Sequence, residues 1–90
     1  MAQSVISDTE FVKELRDLAL FRNDYGSSNK YLQNLDASRY SDAQLVALVR
    51  FFWRARPDLP YYDTFVRLVQ SVLREHELEA DAQHLDRLLE

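Results

Sequence analysis

The same helix-start signal occurs twice in this chain, 34 residues apart. Ser7 is followed three residues later by Glu10, and an apolar residue comes next. Ser41 is followed at the same distance by Gln44, again with an apolar residue behind it. In a capping box the serine oxygen accepts a hydrogen bond from a free backbone N–H, and the Glu or Gln side chain bonds back to the serine N–H. Each signal therefore predicts a helix that begins directly after its serine.

Apolar residues recur at helical spacing along most of the chain, and no stretch shows the period of two that is typical of strands. The predicted helices cover residues 8–24, 29–35, 42–56, a segment that begins near Pro60, and 80–89. Gly26 is the expected stop of the first helix, Pro57 the expected stop of the third, and Asp58 a possible cap for the fourth. We expect an all-α fold, a compact bundle of four to five helices. Two helical hairpins plus a closing C-terminal helix are one possible arrangement, and residues 1–90 are expected to form a single domain.

The third predicted helix is apolar over an unusually wide arc, roughly 220° of the helical wheel, whereas a surface helix needs a narrower stripe. One interpretation is that this helix is central and has neighbours on two sides. Another is that part of the arc is an exposed binding face. A third is that a second copy of the chain covers the arc, which would make the protein a homodimer.

Composition removes several classes of protein. The chain contains no cysteine and one glycine, so it offers no disulfide framework, no thiolate chemistry and no glycine-rich phosphate loop. The longest apolar runs are far shorter than a bilayer span, and the first residues do not resemble a signal peptide. We expect a cytoplasmic protein that does not enter a membrane.

The sequence contains no recognisable catalytic or metal-binding motif. His76 and His84 are the only histidines, and acidic residues surround them. Two ligands on one helix should lie three or four residues apart, but these histidines are eight apart across an expected helix break. No serine stands in a nucleophile elbow. We therefore expect no metal site, no cofactor and no enzymatic activity.

Charge is distributed unevenly along the chain. Residues 25–56 carry five basic and two acidic side chains, whereas residues 75–90 carry one basic and six acidic. The basic part interleaves arginine with aromatic residues, a mixture that nucleic-acid sites use. The overall charge of −4 is unlike that of a typical nucleic-acid domain. Nucleic-acid binding is kept as an alternative, with these candidate residues: Arg39, Arg50, Arg54, Arg56 and Arg67.

The connection between the third and fourth helices is the best candidate for a protein-binding surface. It is stiffened by two prolines and carries two adjacent tyrosines. Tyrosine, tryptophan and arginine are the residue types that most often anchor protein interfaces. Adjacent residues of a helix cannot both face the same core, so we expect one tyrosine, or its hydroxyl edge, to reach the surface. The alternative is that both rings pack against the turn between the third and fourth helices. The candidate contact residues are Trp53, Arg54, Arg56, Tyr61 and Tyr62.

Two segments resemble colicin-type nuclease immunity proteins. Residues 41–52 (SDAQLVALVRFF), followed by Tyr61 and Tyr62, are similar to the second helix and the paired-tyrosine turn of that family. Residues 6–11 (ISDTEF) are similar to its first helix. The family is small, acidic, cysteine-free and four-helical, and it inhibits a toxin nuclease through an acidic second helix and the tyrosines. The resemblance implies an immunity-type inhibitor in which Tyr61 and Tyr62 contact the nuclease, although the matching helix of this chain is basic and aromatic.

The sequence therefore favours a small, non-enzymatic protein-interaction module, which would act as an inhibitor, an adaptor or an assembly subunit. Its alternatives are a nucleic-acid-associated regulatory protein and an immunity-type inhibitor.

Overall fold

The computed structural model describes residues 5–21 and 23–87, which contain five α-helices and no strand. The helices are α1 (Asp8–Leu20), α2 (Tyr25–Gln33), α3 (Asp42–Phe52), α4 (Tyr62–Glu75) and α5 (Glu79–Asp86). A first 3₁₀-helix (Ala37–Arg39) precedes α3, and a second (Trp53–Asp58) follows it. The predicted all-α class is confirmed. Residues 88 and 89 of the last predicted helix lie outside the described part of the chain. None of the described helices has the length and apolar content needed to cross a bilayer.

Both predicted helix starts are present. The Ser7 hydroxyl oxygen accepts a hydrogen bond from the backbone N–H of Glu10 at 3.2 Å, and α1 begins at the next residue after the serine. The Ser41 hydroxyl oxygen likewise accepts from the N–H of Gln44 at 3.1 Å. Here the reciprocal bond is also made, because the Ser41 N–H donates to the Gln44 amide oxygen at 3.0 Å. The second signal is therefore a complete capping box.

The two helix starts lie side by side and are bonded to each other. Gln44 is only 4% exposed, and its amide nitrogen donates to the Ile6 carbonyl at 3.1 Å and to the Asp8 carboxylate at 3.0 Å. The ring of Tyr40, just before α3, packs edge-on against Phe11 of α1 at 6.0 Å between centroids. The repeated signal thus does more than start two helices, since it joins α1 to α3.

Helix α4 lies at the centre of the fold and packs against α2, α3 and α5. Its buried side chains belong to one hydrophobic cluster, to which all five helices contribute. Gln70 of α4 is 4% exposed and donates its amide nitrogen to the Ala82 carbonyl at 2.9 Å and to the Asp86 carboxylate at 2.6 Å. A second buried glutamine therefore holds α5 against α4.

Most of the wide apolar arc predicted for the third helix is covered within one chain, whereas Trp53 at its end keeps 40% of its surface exposed. Leu45, Leu48, Val49 and Phe52 are buried, and Phe51 is half-buried. This agrees with the interpretation that α3 is an interior helix. The arc itself does not require a second copy of the chain to cover it.

The predicted start of α2 is wrong. Gly26 lies inside the first turn of α2 and does not have a positive φ, so it does not end α1 in the predicted way. Instead, Asp24 caps α2 by accepting a hydrogen bond from the Ser27 N–H at 3.2 Å. An aspartate cap satisfies a free N–H of the helix start. Helix α2 therefore begins four residues before the predicted position, and Tyr25 belongs to its first turn.

We expect Gln44→Glu to lower the free energy of unfolding by at least about 2 kcal/mol, because a carboxylate cannot donate to Ile6 and is repelled by Asp8. Gln33→Glu is the matched control. Gln33 is exposed at the end of α2, so its replacement should change stability by less than about 0.5 kcal/mol. Urea unfolding followed by circular dichroism measures both. Equal midpoints for the two variants would contradict the proposed link between α1 and α3.

Candidate protein-binding surface

Helix α3 ends at Phe52, four residues before the predicted end, and the chain continues as the second 3₁₀-helix. Pro57 lies inside this segment. Proline has no N–H and its ring clashes with the carbonyl four residues earlier in an α-helix, so the α-helix cannot run through this position. The change begins at Trp53, whose N–H bonds to the Arg50 carbonyl, three residues back.

This change leaves the carbonyl of Val49 available, because in a continuous α-helix it would accept the N–H of Trp53. Tyr62 is fully buried, and its hydroxyl donates to the Val49 carbonyl at 3.3 Å. Tyr62 thereby ties the start of α4 to the end of α3. Its predicted role as a contact residue is corrected, since a side chain without exposed surface does not meet a partner.

Tyr61 is half-buried, as the tyrosine pair predicts for one of its members. Its backbone N–H donates to the side-chain oxygen of Asn29 in α2 at 2.7 Å. Tyr61 is the residue before α4, which begins at Tyr62, two residues after Pro60 and near the predicted position, without a side-chain cap. The predicted cap at Asp58 is wrong because that residue ends the second 3₁₀-helix.

The second 3₁₀-helix stacks two of the predicted contact residues. With three residues per turn, positions i and i+3 of a 3₁₀-helix lie one above the other. Trp53 and Arg56 have this spacing, and the Arg56 guanidinium carbon lies 5.3 Å from the centroid of the Trp53 ring. Trp53 nevertheless keeps 40% of its surface exposed. The result is an exposed indole ring held in place by a cation–π contact.

An open groove of about 340 Å³ separates the second 3₁₀-helix from the start of α2. Among residues 5–21 and 23–87, its lining includes Asn23, Tyr25, Arg54 and Ala55. Tyr25 is 39% exposed, and Arg54 is exposed and makes no hydrogen bond or ion pair with any described residue. Arg54 and Ala55 of the groove lie between Trp53 and Arg56 in the chain, so the groove and the stacked pair are neighbours along the second 3₁₀-helix. We call Tyr25, Trp53, Arg54 and Arg56 the Trp53 surface.

Three of the five predicted contact residues therefore lie on the Trp53 surface, and the sequence analysis missed Tyr25. The misplaced start of α2 left this residue in a loop without a predicted role. The signal that would have found it is the Asp24–Ser27 pair, since aspartate at a helix start with serine three residues later is a local capping pattern.

The arginines proposed for nucleic-acid binding face different surroundings. Arg39 precedes α3, lies 3.8 Å from the Glu14 carboxylate and stacks over the Tyr40 ring at 5.4 Å. Arg50 lies 3.3 Å from a ring nitrogen of His84. Arg67 is exposed on α4. Only Arg54 and Arg56 belong to one surface.

A second groove, about 410 Å³ in volume, separates α3 from α5. Arg50 lines it together with Asp42 and Asp81, so opposite charges share its walls. His76 lies beside it, with a ring nitrogen 2.8 Å from the Asp42 carboxylate. In residues 5–21 and 23–87 no group of three His, Cys, Asp or Glu side chains is placed to hold a metal ion.

A cluster of two tyrosines and a glutamate joins α1 to the segment before α3. Glu14 accepts hydrogen bonds from the hydroxyls of Tyr31, at 2.8 Å, and Tyr40. The two hydroxyl oxygens are 2.9 Å apart. Burial, followed by these hydrogen bonds, raises the pKa of the Tyr31 phenol, and burial raises that of Tyr40 as well. The cluster holds neutral phenols beside a carboxylate, which suits a structural role.

Comparison with protein-family models, with curated proteins and with solved structures gave no match for this chain.

We expect Tyr62→Phe to lower the free energy of unfolding by about 1 kcal/mol, because it removes the hydrogen bond to the Val49 carbonyl and leaves that acceptor buried. Tyr61→Phe is the control, since the Tyr61 hydroxyl makes no hydrogen bond with the described residues. Chemical unfolding of both variants measures the difference. A larger effect at Tyr61 than at Tyr62 would contradict the assigned core role.

Stability should fall as the pH rises from about 10 to about 12. Burial raises the pKa of Tyr62 from 10.0 to about 12, against an opposing effect of nearby Arg56. The unfolded chain loses this proton near its ordinary pKa while the folded chain still holds it, so the contribution is complete below pH 10 and is lost above that. Urea unfolding across this range, in the wild type and in Tyr62→Phe, is the measurement. An equal loss in both proteins would show that Tyr62 is not responsible.

Proposed function

We propose that this chain is a small, non-enzymatic, cytoplasmic protein-interaction module, an inhibitor, adaptor or assembly subunit that binds its protein partner through the Trp53 surface. The observation that carries the proposal is the exposed Trp53 ring under the Arg56 guanidinium. Tryptophan, tyrosine and arginine dominate the binding energy of protein interfaces. Tyr25, Trp53, Arg54 and Arg56 are all of these three types, and Asn23 and Ala55 belong to the groove beside them.

The geometry of the surface also favours binding. Immobilising a flexible side chain on binding costs about 0.5–1.5 kcal/mol. Arg56 is already held over Trp53, and Trp53 is part of a 3₁₀-helix anchored to the core on both sides. Tyr25 lies in the first turn of α2, which Asp24 caps. These side chains therefore lose little conformational freedom when a partner docks.

Protein is a better fit than nucleic acid. A protein that neutralises several phosphates needs a continuous basic track, because each contact contributes through counterion release. Here Arg39 is beside Glu14, and Arg50 shares a groove with Asp42 and Asp81. The two arginines of the Trp53 surface are too few for such a track, and the chain as a whole is acidic.

A nuclease-inhibiting immunity protein is the specific form of this function that the resemblance implies. The resemblance implies that Tyr61 and Tyr62 contact the nuclease. Tyr61 keeps exposed surface, and Tyr62 does not. The matching helix α3 turns its apolar residues inward. The Trp53 surface supports binding of a protein in general more directly than it supports this form.

The experiment compares two double variants in affinity capture from the native host, followed by measurement of Kd for each protein captured. Trp53→Ala with Arg54→Ala removes the centre of the Trp53 surface. Arg67→Ala with Leu68→Ala is the matched control, since it also removes one exposed arginine and one exposed apolar side chain, on α4. We expect the first pair to weaken binding by about 2 kcal/mol or more, roughly 30-fold in Kd, and the second to leave it unchanged.

Circular dichroism confirms beforehand that both double variants are folded. Partners that bind the Trp53 and Arg54 double variant as tightly as they bind the wild type would refute the proposed surface. Partners lost only from the α4 control would place the interface on α4 instead.

A further inference from the structure

The charge of the groove beside Trp53 indicates what kind of partner segment fits it. We infer that the groove binds an acidic linear segment of a protein, in which a carboxylate pairs with Arg54 and a neighbouring apolar side chain packs against Trp53 and Tyr25. This inference rests on the proposed function and names the chemistry of the partner.

The carboxylate is expected because Arg54 has no partner among the described residues. It lines the groove, is exposed, and makes no ion pair or hydrogen bond within residues 5–21 and 23–87. Asp24, which lies between the groove residues Asn23 and Tyr25 in the chain, is occupied. Its carboxylate accepts from the N–H and the hydroxyl of Ser27, at 3.2 and 2.8 Å, and these bonds lower its pKa. Asp24 is therefore used to cap α2.

When a partner docks on the groove, the charge of Arg54 determines which segments bind well. A partner that covers Arg54 removes water from the guanidinium, and burying a cation without a counter-charge is unfavourable. A carboxylate of the partner restores the lost solvation through two parallel hydrogen bonds, since the guanidinium fork matches it. Neutral and basic segments do not supply this counter-charge.

The apolar contact is expected because one exposed ring lines the groove and a second exposed ring belongs to the residue next to Arg54 in the chain. Tyr25 lines the groove with Arg54, and Trp53 precedes Arg54 in the second 3₁₀-helix. The two rings are 39% and 40% exposed. An open groove of about 340 Å³ accommodates a few side chains, which is the size of contact that a short linear segment makes. A linear segment with an acidic residue next to an apolar one meets both requirements.

Selection from a random linear peptide library, displayed on phage and panned against the full-length chain, tests the inference. The same library is panned against Arg54→Glu and against Arg67→Glu, which reverses an exposed arginine on α4. Synthetic peptides from the selection are then titrated by fluorescence. Trp53 is the only tryptophan of the chain, so a shift of its emission reports binding at this surface directly.

We expect the wild type and Arg67→Glu to select peptides in which Asp or Glu lies next to an apolar residue, and these peptides to shift the emission of Trp53. Arg54→Glu should weaken their binding at least about tenfold, and so should replacement of the peptide's acidic residue by its amide. Binding of the acidic peptides should also weaken as salt is raised.

Three results would overturn the inference. Peptides that shift Trp53 emission but are neutral or basic, and bind Arg54→Glu equally well, refute the acidic segment and leave the proposed function standing. A library that yields no peptide acting on Trp53 refutes a linear segment, and the double-variant experiment above decides the proposed function separately. Oligonucleotides that shift Trp53 emission at lower concentration than the selected peptides would identify the anion as phosphate.

Discussion

At Trp53 the backbone passes from α-helical to 3₁₀ hydrogen bonding, and both the core and the exposed surface depend on that change. Pro57 prevents the α-helix from continuing. On the inside, the Val49 carbonyl loses its helical donor and receives the Tyr62 hydroxyl instead, which joins α3 to α4. On the outside, the tighter helix brings Arg56 over the Trp53 ring. One backbone event therefore fixes the central helix pair and orders the residues proposed to bind a partner.

Two of the remaining helices, α1 and α5, are attached to this pair by buried side-chain amides. Gln44 joins the start of α1 to the start of α3, and Gln70 joins α5 to α4. Each amide nitrogen makes two bonds, one to a backbone carbonyl and one to a carboxylate. Buried polar groups of this kind are tolerated only when they are satisfied, so each requires a particular placement of the neighbouring helix. Short helices such as α5 thereby gain a defined position that apolar packing alone would leave loose.

The parts of the fold that could be predicted from the sequence are those decided locally. Ser7 and Ser41 start helices because a cap needs only the residues of its own turn. The prediction from Gly26 was wrong because two local signals competed. Gly26 favoured a helix end, Asp24 favoured a helix start, and the Asp24 cap determined where α2 begins. The fate of the tyrosine pair was not local. Which ring is buried depends on the direction in which the chain enters α4 after the second 3₁₀-helix. It also depends on the Val49 carbonyl of α3, which has no helical donor and accepts the Tyr62 hydroxyl.

The candidate site also has a part that could be predicted from the sequence and a part that depends on the fold. The residue types of the connection after α3 identified Trp53, Arg54 and Arg56, because an aromatic and basic run is visible in the sequence. Tyr25 is far from them in the chain and joins them only through the packing of α2 against α4. The wide apolar arc of α3 likewise left its burial open until the positions of its neighbours were known.

Acrylamide quenching of Trp53 fluorescence tests the central claim most directly, since this single tryptophan lies at the proposed contact surface. The account predicts that acrylamide quenches Trp53 readily in the free folded protein and much less once a partner is bound. A Trp53 shielded from acrylamide in the free protein, or one equally accessible with and without the partner, would contradict it.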